Sequence, residues 1–416
     1  MPSANHPMPT APTGHDLLAE RFDQLNAFLL RHQTLWRPRP FTEPCLAWER
    51  DHPALATWLR QRSLEQAEAA QAYPAELPAP APFAELATQA AALGSVAALS
   101  APPLAETPAP VDVPGRKWLQ IQAFAAALPL AEDDPRYWLD WCAGKGHLGR
   151  YLAMHGQQAS CLEWDAALVV AGQHLSQKQG VSVRHQQQDV MADGVAEHLH
   201  PGVTPVALHA CGDLHVRLLE QGISRGCQRL AIAPCCYNRT QATHYRALSQ
   251  RARRSALALT RDDLGLPLSE TVTAGRRERH QRDQSMAWRL GFDRLQRPLR
   301  GVDAYLPTPS LPAAWLRKPF ETYCRDLAQL KALPAPGAQD WAALERHGWQ
   351  RLAQVRNLEL VRALFRRPLE LWLVLDQALL LAENGYRVRL GTFCHHDLTP
   401  RNIMLLAERD AAIADT

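Results

Sequence analysis

The chain contains 416 residues, of which 46% are hydrophobic and 21% charged. This length and balance predict a folded protein of two or three domains and exclude a disordered or fibrous chain. The formal net charge of +3 is too small to indicate nucleic-acid binding by itself.

The sequence predicts neither a membrane span nor a secretory signal. The most apolar stretch, 369–381, is interrupted by Glu370 and Asp376 and falls short of the ~20 apolar residues that a membrane helix needs. Residues 1–16 lack the apolar core of a secretory signal. The nine cysteines have no paired spacing, so reduced thiols and a cytoplasmic location are expected.

Three regions follow one another along the chain. Residues 1–73 predict a small helical region, with apolar residues at helical spacing over 16–36 and a second helix beginning at Pro53. Residues 74–115 are rich in Pro and Ala and predict a semi-rigid linker that holds one helix. Residues 116–416 form the third region, which carries a long insertion at 238–350.

Short apolar runs alternate with amphipathic helices in the third region, which predicts a parallel sheet covered on both faces. Strands are predicted at 136–142, 159–164, 181–187, 204–210, 229–234, 386–394 and 402–408. Helices are predicted at 117–128, 147–155, 165–179, 213–222 and 353–384, the last kinked or restarted by Pro368. The expected fold class is α/β, a Rossmann-like sheet of seven strands whose last pair forms a β-hairpin after the insertion.

The segment 140–149 (DWCAGKGHLG) satisfies GxGxxG between a predicted strand and a predicted helix, where glycines let the backbone approach a ligand. A dinucleotide-binding turn has an apolar residue where this chain has Asp140, so the acid favours a ligand with a cationic amino-acid group. S-adenosyl-L-methionine (SAM) carries such an ammonium group. Asp140 would receive it directly or through water, while the backbone of Gly144 and Gly146 passes under the nucleoside. A nicotinamide-dependent oxidoreductase is the alternative.

Two further acids stand where SAM needs them, although acids at strand ends are often only solvated turn residues. Glu163 ends the second predicted strand, within reach of the ribose hydroxyls, and Asp189 follows the third, within reach of the adenine amino group. Trp164 would pack on the adenine face. The remaining predicted cofactor-binding residues are Ala143, Leu148, Val190 and His209.

Four segments in order resemble the methyltransferase-like protein 25 group: the glycine loop, HACGD at 209–213, PCCY at 234–237 and TPRN at 399–402. Relatives of that group include the tRNA acceptor-stem ribose 2'-O-methyltransferases and the glutathione S-transferase C-terminal-domain-containing proteins. The resemblance covers about residues 113–408 and implies a seven-stranded class I methyltransferase fold that uses SAM. The tRNA enzymes carry a Cys-Cys-His-type run in place of PCCY, and their zinc-finger-like segments are absent here, so tRNA itself is not expected.

Two predicted strand ends would surround the transferable methyl group. They carry the predicted catalytic residues His209, Cys211, Asp213, Cys235, Cys236 and Tyr237. Because SAM is already activated, the enzyme mainly has to position the acceptor and accept one proton. His209 or Asp213 would be that base, and Tyr237 with Asn238 would orient the acceptor.

The three cysteines have other interpretations. They would fill tight strand ends as buried side chains, or one would act as a nucleophile towards a pyrimidine ring. A zinc site with His209 is conceivable, but adjacent Cys235 and Cys236 do not easily place both thiolates on one metal as CxxC does. No metal is therefore predicted.

The insertion contains thirteen arginines between Arg246 and Arg300, against six acids between residues 240 and 300. Phosphate contact predicts RNA as partner and acceptor. Under the alternative, a solvated face with helical ion pairs, the acceptor is a protein or small molecule. A SAM-binding module without turnover is a third hypothesis.

The run from His395 to Asn402 resembles the catalytic loop of small-molecule kinases, with Asp397 as base. Such kinases need an upstream nucleotide lobe, whereas the upstream chain here predicts a SAM-type sheet. Asp415 is the only downstream acid with roughly suitable spacing for the metal-binding acid of such a kinase. A hairpin turn is therefore the preferred interpretation of this segment.

Overall fold

A computed structural model describes residues 14–71, 73–99, 110, 112–128, 137–154, 157–269 and 275–410. The chain forms two compact units. Unit 1 comprises residues 1–30, 93–270 and 369–416, and unit 2 comprises residues 31–92 and 271–368. Among the described residues, no helix combines the length and apolar character that crossing a membrane requires.

The strands are β1 (Tyr137–Trp141), β2 (Gln158–Glu163), β3 (Val183–Gln187), β4 (Val203–Ala207), β5 (Arg229–Ile232), β6 (Tyr386–Thr392) and β7 (Ile403–Arg409). The helices are α1 (Gly14–Arg31), α2 (Gln33–Trp36), α3 (Pro53–Arg60), α4 (Leu64–Ala70), α5 (Phe83–Gly94), α6 (Gly115–Ala126), α7 (His147–Ala153), α8 (Ala166–Lys178), α9 (Asp213–Ser224), α10 (Gln250–Arg253), α11 (Arg276–Arg300), α12 (Phe320–Leu330), α13 (Trp341–Ala363) and α14 (Arg366–Glu383). Short 3-10 helices lie at Ala47–Glu49, Pro74–Glu76, Asp193–His198, Asp263–Leu268 and Ala313–Arg317.

Unit 1 is built on a seven-stranded sheet in the order β3-β2-β1-β4-β5-β7-β6. Strands β1 to β5 are parallel, whereas β7 runs antiparallel to both β5 and β6. All seven predicted strands are confirmed, and the expected hairpin is formed by β6 and β7. The order reverses between β1 and β4, which is where open α/β sheets bind ligands.

Both faces of the sheet are buried at its centre, which explains why β1 and β4 lack the alternation of exposed and buried residues seen in the edge strand β6. On one face Trp138 packs with Phe124 of α6 and Leu148 of α7. On the other face Leu139 packs with Leu218 of α9. Neighbouring residues of β1 thus enter opposite layers, as the pleat requires.

The predicted helix at 353–384 is two helices, α13 and α14, separated at Leu364 and Phe365. Pro368, which is expected to kink or restart this helix, lies in the first turn of α14, in agreement with a restart. Its missing N–H has no partner to lose in the first turn of a helix, so proline is accepted there. The break therefore precedes the proline.

Unit 2 combines segments that are distant in sequence. Helices α2, α3 and α4 contact α13, and Asn357 of α13 donates hydrogen bonds to the carbonyls of Arg62 and Ser63. A separate cluster around Trp288, Phe320 and Tyr323 joins α11 and α12. The three-part division at residues 73 and 115 stays a prediction, and most of 100–111 lies outside the described residues.

Candidate active site

The predicted site residues converge on the carboxyl edge of the parallel strands. The glycine loop follows β1, Glu163 ends β2, and Asp189 follows β3. The HACGD and PCCY segments follow β4 and β5 and are joined by a backbone pair between Cys211 and Cys235. The ends of five strands thus bring the predicted site residues, which lie between positions 140 and 237, to one edge of the sheet.

The glycine loop turns sharply between β1 and α7. The Ala143 amide donates to the Leu162 carbonyl of β2 (2.9 Å), and the Gly146 amide donates back to the Ala143 carbonyl (2.9 Å). Gly144 has a φ of +58°, and a Cβ built there would meet no protein atom within 4 Å. The outer side of the loop is therefore open at Gly144, as a backbone that carries a ligand must be.

Asp140 lies beneath this loop, with 3% of its surface exposed. Its Oδ2 accepts a hydrogen bond from the Gly149 amide of α7 at 2.9 Å. Burial raises the pKa of the Asp140 carboxyl to about 7. The hydrogen bond to Gly149 ties α7 to β1. The expected contact between Asp140 and an ammonium group, directly or through water, stays a prediction.

Glu163 connects the end of β2 to the loop. Its Oε2 accepts from the Gly144 amide at 2.8 Å and its Oε1 from the Asp165 amide at 3.1 Å. The side chain is largely buried, with 8% exposed. The carboxylate is thus fixed beside the open side of Gly144, where a ribose would lie.

The residues expected around the adenine separate into exposed and buried groups. Trp164 is 72% exposed, and Asp189 is exposed with its Oδ1 accepting from the Met191 amide at 2.9 Å. Val190 and Leu148 are each 4% exposed and belong to the two core layers. Trp164 and Asp189 are therefore accessible to a ligand, and Val190 and Leu148 support the edge from within.

His209 lies at the end of β4 beside α6. Its Nε2 donates to Oε1 of Gln120 at 3.2 Å, which leaves Nδ1 as the acceptor nitrogen. Surrounding protein atoms and then the positive charge of Lys117 lower the pKa of His209 to about 4, although its ring keeps a solvent-exposed face. Gln120 was not predicted, because no spacing signal joins residues that are 89 positions apart.

Asp213 begins α9, and its Oδ2 accepts from the Gln241 amide at 3.1 Å. Tyr237 is less exposed than Asp213: its ring is 4% exposed, packs edge-on against His215, and directs its hydroxyl to the Pro234 carbonyl at 3.4 Å. A cavity of about 310 Å³ is lined by both Asp213 and Tyr237, and also by Met191. Asp213 and Tyr237 thus lie beside the same cavity, and the roles expected for them towards an acceptor stay predictions.

Cys211, Cys235 and Cys236 form one cluster, with all sulfur atoms within 4.8 Å of one another and 3.7 Å between Cys211 and Cys235. The adjacent thiols of Cys235 and Cys236 thus lie close together, although the sequence spacing is less favourable for a shared metal than CxxC. Cys236 has a φ of +50°, which interrupts the alternation of an extended strand. Hydrogen bonds from the Cys211 and Cys235 thiols lower the pKa of Cys236 far below its usual value.

The arginines of the insertion are divided between the two units. Those from Arg246 to Arg261 belong to unit 1, and those from 276 to 300 form α11 of unit 2. Several have intramolecular partners: Arg246 pairs with Glu220, Arg251 with Asp23, and Arg297 with Asp293 and Asp303. Ion pairs within the protein therefore explain the presence of Arg246, Arg251 and Arg297 as well as contacts with phosphate would.

The segment 393–402 connects the hairpin strands β6 and β7, as preferred in the sequence interpretation. Asn402 donates to the Cys394 carbonyl at 2.8 Å, and His395 lies 3.2 Å from Asp397. Asp415, the acid that a kinase interpretation needs, lies outside the described residues.

Residues 116–243 match a sequence family described as "Methyltransferase domain". No curated protein matches the chain. The matched residues include β1 to β5 and every residue of the predicted site. They amount to less than a third of the chain, so the match concerns this part of unit 1.

Three solved structures are similar to parts of the chain. Magnesium protoporphyrin IX methyltransferase from Synechocystis PCC 6803, with bound SAH, aligns over 83% of this chain and 99% of its own, with 11% identity and a TM-score of 0.31. An rRNA methylase from Streptococcus thermophilus aligns over 30% of this chain and 72% of its own, with 15% identity and a TM-score of 0.23. A structure described by the conversion of a disulfide bond into a thioacetal group during echinomycin biosynthesis aligns over 23% and 43%, with 17% identity and a TM-score of 0.20. The chain thus spans less than half the length of that last protein.

The domain match agrees with the expected Rossmann-like methyltransferase fold over residues 116–243, and SAM is the cofactor that such a domain implies. The narrower resemblance to the methyltransferase-like protein 25 group and the tRNA enzymes stays a prediction.

Proposed function

We propose that this protein is a SAM-dependent methyltransferase whose acceptor is RNA. The observation that supports methyl transfer best is the open Gly144 backbone with the buried Glu163 carboxylate fixed beside it. A nucleoside laid over Gly144 would fill the space that a Cβ would otherwise occupy. Its ribose hydroxyls would then donate to Glu163, and Trp164 and Asp189 would flank its base.

When bound, SAM supplies a methyl group that is already activated for transfer. The remaining task of the chain is to place an acceptor atom in line with that group and to take up one proton. His209 presents an acceptor nitrogen at the end of β4, because its other nitrogen donates to Gln120. Asp213 offers a carboxylate at the start of α9, beside a cavity of about 310 Å³.

Positive charge at this edge favours a polyanionic acceptor. The charges of Lys117 and Arg401 both act on His209, and those of Arg401 and Arg239 act on Cys236. These basic residues come from three separate parts of the chain: α6, the segment after β5 and the hairpin connection. They support an RNA acceptor more directly than the paired arginines of the insertion do.

The proposal predicts that Arg239→Gln weakens RNA binding, whereas Arg229→Gln does not. Arg239 follows the carboxyl end of β5, and Arg229 begins the same strand at the opposite edge. Both substitutions remove one positive charge, so net charge cancels in the comparison. Binding of a fluorescent RNA, measured by anisotropy over a range of salt concentrations, should show a salt slope reduced by about one for Arg239→Gln only.

Equal salt slopes for both variants would contradict phosphate contact at this edge. That result would favour the second candidate, in which the acceptor is a protein or a small molecule. SAM binding without transfer to any acceptor would favour a SAM-binding module.

A further inference from the structure

We propose that Cys211, Cys235 and Cys236 bind one zinc ion through three thiolates at the carboxyl edge of the sheet. This site goes beyond the proposed methyl transfer and does not depend on it. It rests on the distances between the thiols, on the backbone that holds them and on the charges around them.

The thiols already have a spacing suited to a metal. Zinc–sulfur bonds of about 2.3 Å in a tetrahedral site place the sulfur atoms about 3.8 Å from one another. The distance between Cys211 Sγ and Cys235 Sγ is 3.7 Å, and Cys236 Sγ lies within 4.8 Å of both. One zinc ion would therefore require only small side-chain rotations to contact all three.

The backbone makes this convergence a fixed feature of the fold. Cys211 and Cys235 pair as neighbours beyond the ends of β4 and β5, and the Gly212 amide donates to the Cys235 carbonyl at 3.0 Å. Cys236 adopts a φ of +50°, a conformation that costs a non-glycine residue about 1–2 kcal/mol. That conformation directs the Cys236 thiol to the same side as the Cys235 thiol, whereas in a regular strand the two would point to opposite faces.

The surroundings match the charge and access that such a site needs. Three thiolates carry more negative charge than one zinc ion offsets, and the positive charges of Arg239 and Arg401 act on Cys236. Sulfur donors select zinc and other soft ions over magnesium or calcium. Cys235 is buried, whereas Cys211 and Cys236 are half-buried. A bound ion would thus keep one position accessible, as zinc sites with three protein ligands commonly do.

The first test uses the full-length wild-type protein, reduced and freed of metal with a chelator. Zinc content after gel filtration should reach about one ion per chain when zinc is restored. Zinc should then protect Cys211, Cys235 and Cys236 from alkylation by iodoacetamide, read by peptide mass spectrometry, while exposed Cys45 reacts equally with and without zinc. Equal alkylation of the cluster under both conditions would overturn the proposal.

Single substitutions provide the second test. Cys236→Ser should lower zinc affinity at least tenfold and reduce the near-ultraviolet charge-transfer band of the cobalt-substituted protein. Cys394→Ser, a half-buried thiol of unit 1 outside the cluster, should leave both unchanged. Zinc affinity of Cys236→Ser equal to that of Cys394→Ser would overturn the site. If Cys236→Ser does not fold, wild-type alkylation decides, and neither measurement requires SAM or an acceptor.

Discussion

The open space at Gly144 leads to a sharp prediction with a matched control. Gly144→Ala adds a methyl group at a φ of +58°, and Gly180→Ala adds one at a φ of +65° after α8. Neither new Cβ would meet a protein atom within 4 Å. Both variants should therefore fold, each with a loss of about 1–2 kcal/mol in the free energy of unfolding from the left-handed backbone alone.

The two variants should differ only in cofactor binding. At Gly144 the new methyl group would occupy the space assigned to the nucleoside, and crowding of this kind costs about 1–3 kcal/mol. That energy corresponds to a loss of about 5- to 150-fold in affinity for SAM. Isothermal titration calorimetry with SAM should show this loss for Gly144→Ala and wild-type affinity for Gly180→Ala.

Urea denaturation of both variants is the necessary companion measurement, because it separates local crowding from general destabilisation. If Gly144→Ala binds SAM as tightly as Gly180→Ala does, the nucleoside does not lie over Gly144. The cofactor site would then have to be placed elsewhere on the sheet edge.

Three further substitutions test individual groups. Glu163→Gln should raise the KM for SAM about tenfold with a smaller effect on kcat, because the amide brings a donor to the Gly144 or Asp165 amide in place of an acceptor. Burial raises the pKa of Asp140 from 3.8 to about 7, so the folded state holds this proton more tightly than the unfolded chain does. The stability that this group contributes is thus greatest below about pH 4 and is lost as the pH rises to about 7. Asp140→Asn should remove this dependence. Its free energy of unfolding, measured by urea denaturation, should rise relative to that of wild type by up to ~4 kcal/mol between about pH 4 and pH 7. Tyr237→Phe should leave kcat within about twofold of wild type, because its ring is 4% exposed and its hydroxyl makes a long bond to the Pro234 carbonyl.

Each of these expectations has a contrary result. An unchanged KM for SAM in Glu163→Gln would contradict the proposed contact between Glu163 and the ribose. A constant difference in unfolding free energy between Asp140→Asn and wild type across pH 4 to 7 would mean that Asp140 titrates normally. A large loss of kcat in a stable Tyr237→Phe protein would show that this hydroxyl helps to orient the acceptor.

The sheet and its edge were predictable because their signals are local. Apolar runs of strand length marked strands such as β4, β5 and β7, and a glycine-rich turn after β1 marked the loop. Parallel strands connected by helices must end at a common edge, so acids at the ends of β2 and β3 were expected near the loop. Glu163 at the end of β2 and Asp189 after β3 lie at this edge, as the sequence predicted.

Contacts between distant segments left no such signal. Nothing in the periodicity of α13 shows that its Asn357 binds the carbonyls of Arg62 and Ser63, so the composition of unit 2 could not be derived. The partner of His209, Gln120, lies in a helix that precedes the whole sheet. The left-handed backbone of Cys236 was also unforeseen, since cysteine has no general preference for that conformation.

The most direct test of the central claim is transfer of a labelled methyl group. Purified protein would be incubated with methyl-labelled SAM and cell lysate, and label counted separately in RNA, protein and small molecules, with Gly180→Ala and Gly144→Ala in parallel. An RNA methyltransferase with its cofactor over Gly144 should label RNA with wild type and Gly180→Ala, and much less with Gly144→Ala. Label confined to another fraction would contradict the RNA acceptor, and equal labelling by Gly144→Ala and Gly180→Ala at limiting SAM would contradict the cofactor site itself.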